Sequence, residues 1–83
     1  MKIRVQVMLK NGVLDPQGKA IEHSLASLGF TDIDEVRMGK VIEIDMTETE
    51  ADKAYAQATE MCEKLLANTV IERYEIQLED GSR

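Results

Sequence analysis

Tryptophan is missing from this 83-residue chain, and phenylalanine, cysteine, proline and histidine occur once each. Two tyrosines complete the aromatics, so any core is aliphatic and small. A single cysteine, Cys62, excludes an internal disulfide and leaves the fold to packing or association. No apolar run approaches the roughly 18 residues that a membrane span needs, so no membrane partner is expected. The start, Met1-Lys2-Ile3-Arg4-Val5-Gln6-Val7, alternates charge with apolar residues where a signal peptide would carry an apolar block, which predicts a cytoplasmic chain. Cations are also scarce: ten Lys/Arg face sixteen Asp/Glu, a net charge of -6 that repels a phosphate backbone. Binding of nucleic acid is not expected.

What remains is a 43% hydrophobic, 31% charged chain of a size for one domain, residues 1–83, with 79–83 as a polar tail. The acidity is local. Residues 1–40 hold six basic and five acidic side chains (+1), whereas residues 41–83 hold four and eleven (-7). A core this small is only marginally sufficient by itself, which favours oligomerisation or a partner.

Residues 2–9 alternate, with Ile3, Val5 and Val7 on one side and Lys2, Arg4 and Gln6 on the other, as a half-buried strand does. Asp15-Pro16 then opens a helix: the carboxylate can accept from orphan amides and proline is pre-set for the first helical position. Ile21, Leu25 and Leu28 recur at helical spacing, and Gly29 supplies the left-handed stop, after which Phe30 can pack back.

The segment 36–46 reads as a hairpin turning at Gly39-Lys40 or as one long strand. A hairpin would pair Arg37 with Ile42 and Val36 with Glu43, mixing faces that an antiparallel pair keeps matched. A continuous strand is therefore expected, with Val36, Met38, Ile42, Ile44 and Met46 on one face and a bulge at Gly39. At about 3.3 Å per residue it reaches roughly 36 Å, more than its neighbours cover, so part of its edge is expected to pair with a second copy. Val36, Met38, Val41, Ile42 and Ile44 form the expected dimer strand.

Thr47/Glu50 and Thr49/Asp52 offer overlapping capping boxes for a second helix beginning near residue 50. Its apolar stripe runs through Ala51, Ala54, Tyr55, Ala58, Cys62 and Leu65, with Asn68 as a left-handed terminator. Val70–Leu78 supplies a last strand. The expected architecture is α+β: a small antiparallel or mixed sheet, two helices on one face, and a sheet completed in a dimer.

Catalytic chemistry finds little support. Cys62 falls on the buried stripe with only an exposed-side Lys64 nearby, the position of a core thiol. His23 lies off the apolar face of its helix. Neither Cys-x-x-Cys, His-x-x-x-His nor an Asp-rich glycine loop appears, so no metal site is expected. The carboxylates are many but unpaired by pattern, and no phosphate-binding glycine motif occurs. Gly18, costly near a helix start, fits either close approach by another backbone or tolerated drift. Arg37 and Lys40 bracket Gly39, as a cationic spot for an anion or acidic partner or as guards against unwanted strand pairing.

Three strings occur in order: Val-Leu-Asp-Pro-Gln-Gly at 13–18, Val-Arg-Met-Gly-Lys at 36–40, and Leu-Leu-Ala-Asn-Thr-Val-Ile-Glu-Arg-Tyr at 65–74. Together they resemble the PurS family of small subunits of phosphoribosylformylglycinamidine (FGAM) synthase. The likeness runs from Val5 to about Ile76, departing at Thr69, where the family usually has proline. It implies a subunit without an active site in a complex that consumes ATP, with Mg, and glutamine in purine biosynthesis, and that binds no cofactor alone. The implied partners are the synthetase subunit PurL, the glutaminase subunit PurQ, and a second copy in a homodimer or a tetramer. Asp15, Pro16, Gly18, Arg37, Gly39 and Lys40 are the expected partner-binding residues. Beside this stand a small-ligand regulatory domain at a dimer interface, and a minimal enzyme using a carboxylate or Cys62.

Overall fold

Residues 1–79 are described by the structure, a computed structural model. The alternation at the start builds β1 (Lys2–Leu9), which lies at the centre of a three-stranded antiparallel sheet. Its neighbours are β2 (Gly39–Asp45) and β3 (Glu72–Glu79). Directly opposed residues share a face, so the register stacks Ile44, Ile3 and Leu78 in one row and Ile42, Val5 and Ile76 in the next. Ile3 and Val5 are fully buried and Val7 is 1% exposed, deeper than any other strand residue among those described. Each such side chain contributes about 1.5–3 kcal/mol by leaving water.

The cover over this face is α2 (Ala51–Met61), continued by a π-helical turn at Cys62–Leu66. Ala54, Ala58 and Cys62, four residues apart, share one side and are fully buried against the β1 row. The other sheet face is polar, with Arg4 donating to Glu43 at 2.7 Å and lying 3.4 Å from Glu79. These exposed pairs add little stability.

The helix α1 (Pro16–Ser27) behaves differently. Pro16 occupies its first position, and its end closes as the sequence predicts: Gly29 has φ 101°, Phe30 N–H reaches the Leu25 carbonyl at 3.0 Å and Gly29 N–H that of Ala26 at 3.1 Å. Its apolar side, however, is left open, with Ile21 37% and Leu28 73% exposed, and Phe30 beyond it 55% exposed. The helix is held through its first turn and through Glu22, which touch the segment 36–38.

Several expected boundaries change. The long strand is not formed: β2 has seven residues against eight in β1, so it has no overhang, and Gly39 begins it opposite Met8. Val36 and Met38 lie outside it because their amides are taken by Glu22 and Asp15 instead of a ladder partner. Val41 points to the polar face, opposite Gln6, while Ile42 and Ile44 are half-buried on the inner one. Among the described residues, the outer edge of β2 is unpaired along its length.

The second helix also ends and starts otherwise than expected. Glu50 is the N-cap without a side-chain cap bond, and Glu48 accepts from Thr49 and Glu50 N–H, replacing both capping boxes. Asn68 is not left-handed; the chain leaves through extended Ala67. Tyr55 and Leu65, placed on the buried stripe by spacing, are 50% and 82% exposed. Val70 and Ile71 form a turn, and Glu79 belongs to β3 rather than to a tail; residues 80–83 lie outside the described residues.

Candidate partner interface

Asp15 organises the junction between α1 and β2. One carboxylate oxygen accepts from Gly18 N–H at 2.8 Å, capping the helix, and the other accepts from Met38 N–H at 2.7 Å. Those two amides and the nearby Arg37 charge hold the carboxyl below the usual carboxylate range. A single side chain thus ties a helix start to a strand start 23 residues later.

Gly18 is buried because the Val36 carbonyl lies against it; a Cβ there would meet that oxygen and come within 2.6 Å of the Asp15 carboxylate. The close-approach reading of this glycine is the one the structure favours over drift. Gly39 is similarly confined, since a Cβ would come 2.8 Å from the Val7 carbonyl and against the Met8 sulfur.

Arg37 points inward to the chain's own turn. Its guanidinium donates to Asn11 Oδ1 at 2.7 Å, to the Lys10 carbonyl at 3.2 Å and to the Leu9 carbonyl. Lys40, across from Val7, is exposed. Of the six expected site residues, Asp15, Gly18 and Arg37 form one clasp, Pro16 and Lys40 flank it in solvent, and Gly39 lies in the β1–β2 pair. Spacing missed Asn11 and Glu22, whose partners lie 26 and 14 residues away. Asn11 had a signal in the Lys-Asn-Gly turn; Glu22 had none.

An open cleft of ≈ 490 Å³ runs beside the clasp, lined by Asn11 to Asp15, Lys19 and Glu35 to Arg37. Of its polar lining, Asn11, Asp15 and Arg37 are engaged in the clasp and Lys19 lies 3.7 Å from Glu22, bonds that stiffen this surface. Cys62 is fully buried, and burial followed by the Glu63 charge pushes its thiol up, away from the thiolate. No group of three or more His, Cys, Asp or Glu side chains able to hold a metal occurs among the described residues. Among those residues, no helix is long and apolar enough to cross a membrane.

The molecule therefore offers a rigid junction, an open apolar helix face and a free strand edge, a set of features suited to contact with other proteins. A family model described as "PurS: Phosphoribosylformylglycinamidine (FGAM) synthase" matches residues 2–80. The chain belongs to the PurS family. It is 46% identical over 79 residues to the phosphoribosylformylglycinamidine synthase subunit PurS of Bacillus subtilis, covering 95% of this chain and 93% of that one. A crystal structure of Methanocaldococcus jannaschii PurS, described as one of the subunits of formylglycinamide ribonucleotide amidotransferase in the purine biosynthetic pathway, superposes with TM-score 0.86 at 46% identity over 95% of each chain. A PurS-like chain in a structure of PurLQS from Thermotoga maritima superposes with TM-score 0.83 at 33% identity, covering 92% of this chain and 93% of that chain.

Proposed function

We propose that this PurS chain is the non-catalytic bridging subunit of an FGAM synthase, acting in the cytoplasm as a homodimer that holds a PurL synthetase and a PurQ glutaminase in fixed mutual geometry. The carrying observation is its likeness, over 92% of its length, to a chain of a PurLQS structure. In this reading the complex uses ATP, Mg and glutamine, while the small subunit binds no cofactor by itself. Ammonia released at one site must reach another without escape or protonation, so the two catalytic subunits need a sealed, constant spacing. A stiff element between them supplies that constraint without chemistry of its own.

The surfaces fit the role. The unpaired edge of β2 and the open side of α1, with Ile21, Leu28 and Phe30 exposed, are what a second copy would cover. The clasp fixes α1 against β2, so both parts of that surface move as one body. Pro16, Lys40, the clasp residues Asp15, Gly18 and Arg37, and Gly39 at the start of β2 then stand at the margin where larger partners approach.

Co-elution tests the assembly. The chain mixed with PurL and PurQ of the same organism, with ADP and glutamine present, should elute as one species larger than either pair. Separate elution of this chain under those conditions would end the bridging reading.

A further inference from the structure

The outer edge of β2 carries no strand among the described residues, and its own sequence restricts how a second copy could pair there. Directly opposed residues in an antiparallel ladder share a face, and a slip of one residue exchanges the faces. In β2, Lys40, Ile42 and Ile44 stand on the inner face, opposite Val7, Val5 and Ile3. Gly39, Val41, Glu43 and Asp45 stand on the polar one. Two copies of this edge keep their faces matched only when the two-fold axis between them passes through a residue rather than between two.

We propose that β2 pairs antiparallel with β2 of a second copy, with Ile42 on the two-fold axis, so that the two three-stranded sheets join into one. The proposal rests on the homodimer of the bridging reading and adds the register that forms it. With Ile42 central, all seven residues of β2 are paired. Val41 then faces Glu43 of the second copy, Lys40 faces its Ile44 and Gly39 its Asp45, so no like charges stand directly opposite. The two Glu43 side chains come diagonal to each other, but each is bonded to its own Arg4 at 2.7 Å. Ile42 against Ile42 carries the row Ile42, Val5 and Ile76 across both sheets. The neighbouring registers are worse. An axis through Glu43 sets two carboxylates face to face, one through Ile44 sets Glu43 against Asp45, and one through Lys40 opposes two ammonium groups. An axis through Val41 avoids like charges but pairs only residues 39–43 of β2. Ladder toward residue 36 cannot extend it, because Glu22 and Asp15 hold the Val36 and Met38 amides. An edge that complements itself over its whole length is what a two-fold contact requires, and it selects a copy of this chain as the occupant.

The test oxidises Ile42→Cys and Val41→Cys separately, with wild type, whose Cys62 is fully buried, as the blank. Directly opposed residues lie about 4.5–5.5 Å apart between Cα atoms, within reach of a disulfide, and diagonal ones about 7–8 Å apart, beyond it. The expected result is a dimer linked through position 42 and none linked through 41. Linkage at 41 alone overturns the register, and linkage at neither, in a chain that light scattering shows to be dimeric, overturns the edge pairing. Val41→Lys reads the same register at a position 56% exposed, where folding is not at stake. Its lysine meets Glu43 of the second copy twice by symmetry and should tighten dimerisation by at least roughly twofold in sedimentation at low salt. Unchanged or weaker association contradicts the proposal, weaker association being what lysine against lysine about Val41 would give. A monomeric wild type overturns the proposal together with the homodimer. Failure to co-elute with PurL and PurQ is a separate outcome, which ends the bridging reading and leaves the register to the disulfide result.

Discussion

Gly18 gives the sharpest test of the clasp because two physical effects there have opposite signs. Alanine is the better helix former by up to about 1 kcal/mol, so at an open site Gly→Ala would stabilise. Here the added methyl would meet the Val36 carbonyl and the Asp15 carboxylate. Gly18→Ala should therefore destabilise by on the order of 1–3 kcal/mol in a denaturant titration, the cost typical of overpacking. Arg37 and Lys40, equivalent in the sequence as a cationic pair around Gly39, separate in the structure. Arg37→Glu removes donors from two carbonyls and Asn11 and should lower stability by about 1–3 kcal/mol. Lys40→Glu, at an exposed position, should change stability by less than about 0.5 kcal/mol and so isolates any effect on partner binding. Asp15 and Pro16 were legible because capping needs no tertiary partner. The inward turn of Arg37 was not, since its acceptors are carbonyls near Leu9, and backbone acceptors leave no mark in a sequence.

Which elements exist was readable from period alone: Ile3, Val5 and Val7 at spacing two, Ala54, Ala58 and Cys62 at spacing four. Where elements end was decided by contacts between distant segments. The strand expected to begin at Val36 begins at Gly39 because Glu22 and Asp15 capture the preceding amides, and side chains 14 and 23 residues away are invisible to a local pattern. The same holds for the exit of α2, where a π-turn replaces the expected asparagine stop. That exit is latched to the sheet by the Tyr74 hydroxyl donating to Glu63 at 2.6 Å. Bonding to a carboxylate favours the protonated phenol, and with partial burial it pushes Tyr74 up to about 12. An unfolded tyrosine ionises near pH 10, so the folded state holds the proton more tightly: the latch contributes fully below about pH 10 and is lost as pH rises toward 12. Tyr74→Phe should melt at lower temperature than wild type at pH 7, with the gap narrowing above pH 10; a gap constant across that range would show that the hydroxyl is not the source.

The described fold is elongated, 48 × 31 × 14 Å, with a radius of gyration of 16.3 Å where a compact chain of this length has about 12 Å. Such a shape leaves the apolar side of α1 and the turned-out Leu65 in water, a cost that association removes. The small aliphatic core, lacking tryptophan and disulfides, points the same way. The need for a second copy was inferred from an over-long strand that does not form; it is the unpaired β2 edge and the open helix that support it instead. Bridging itself is tested most directly by turnover of the reconstituted PurL–PurQ pair, followed as FGAM formed with and without this chain. With glutamine as nitrogen donor the rate should depend on the chain, while with saturating ammonium it should depend on it far less. Equal glutamine-driven rates in its presence and absence would contradict the account.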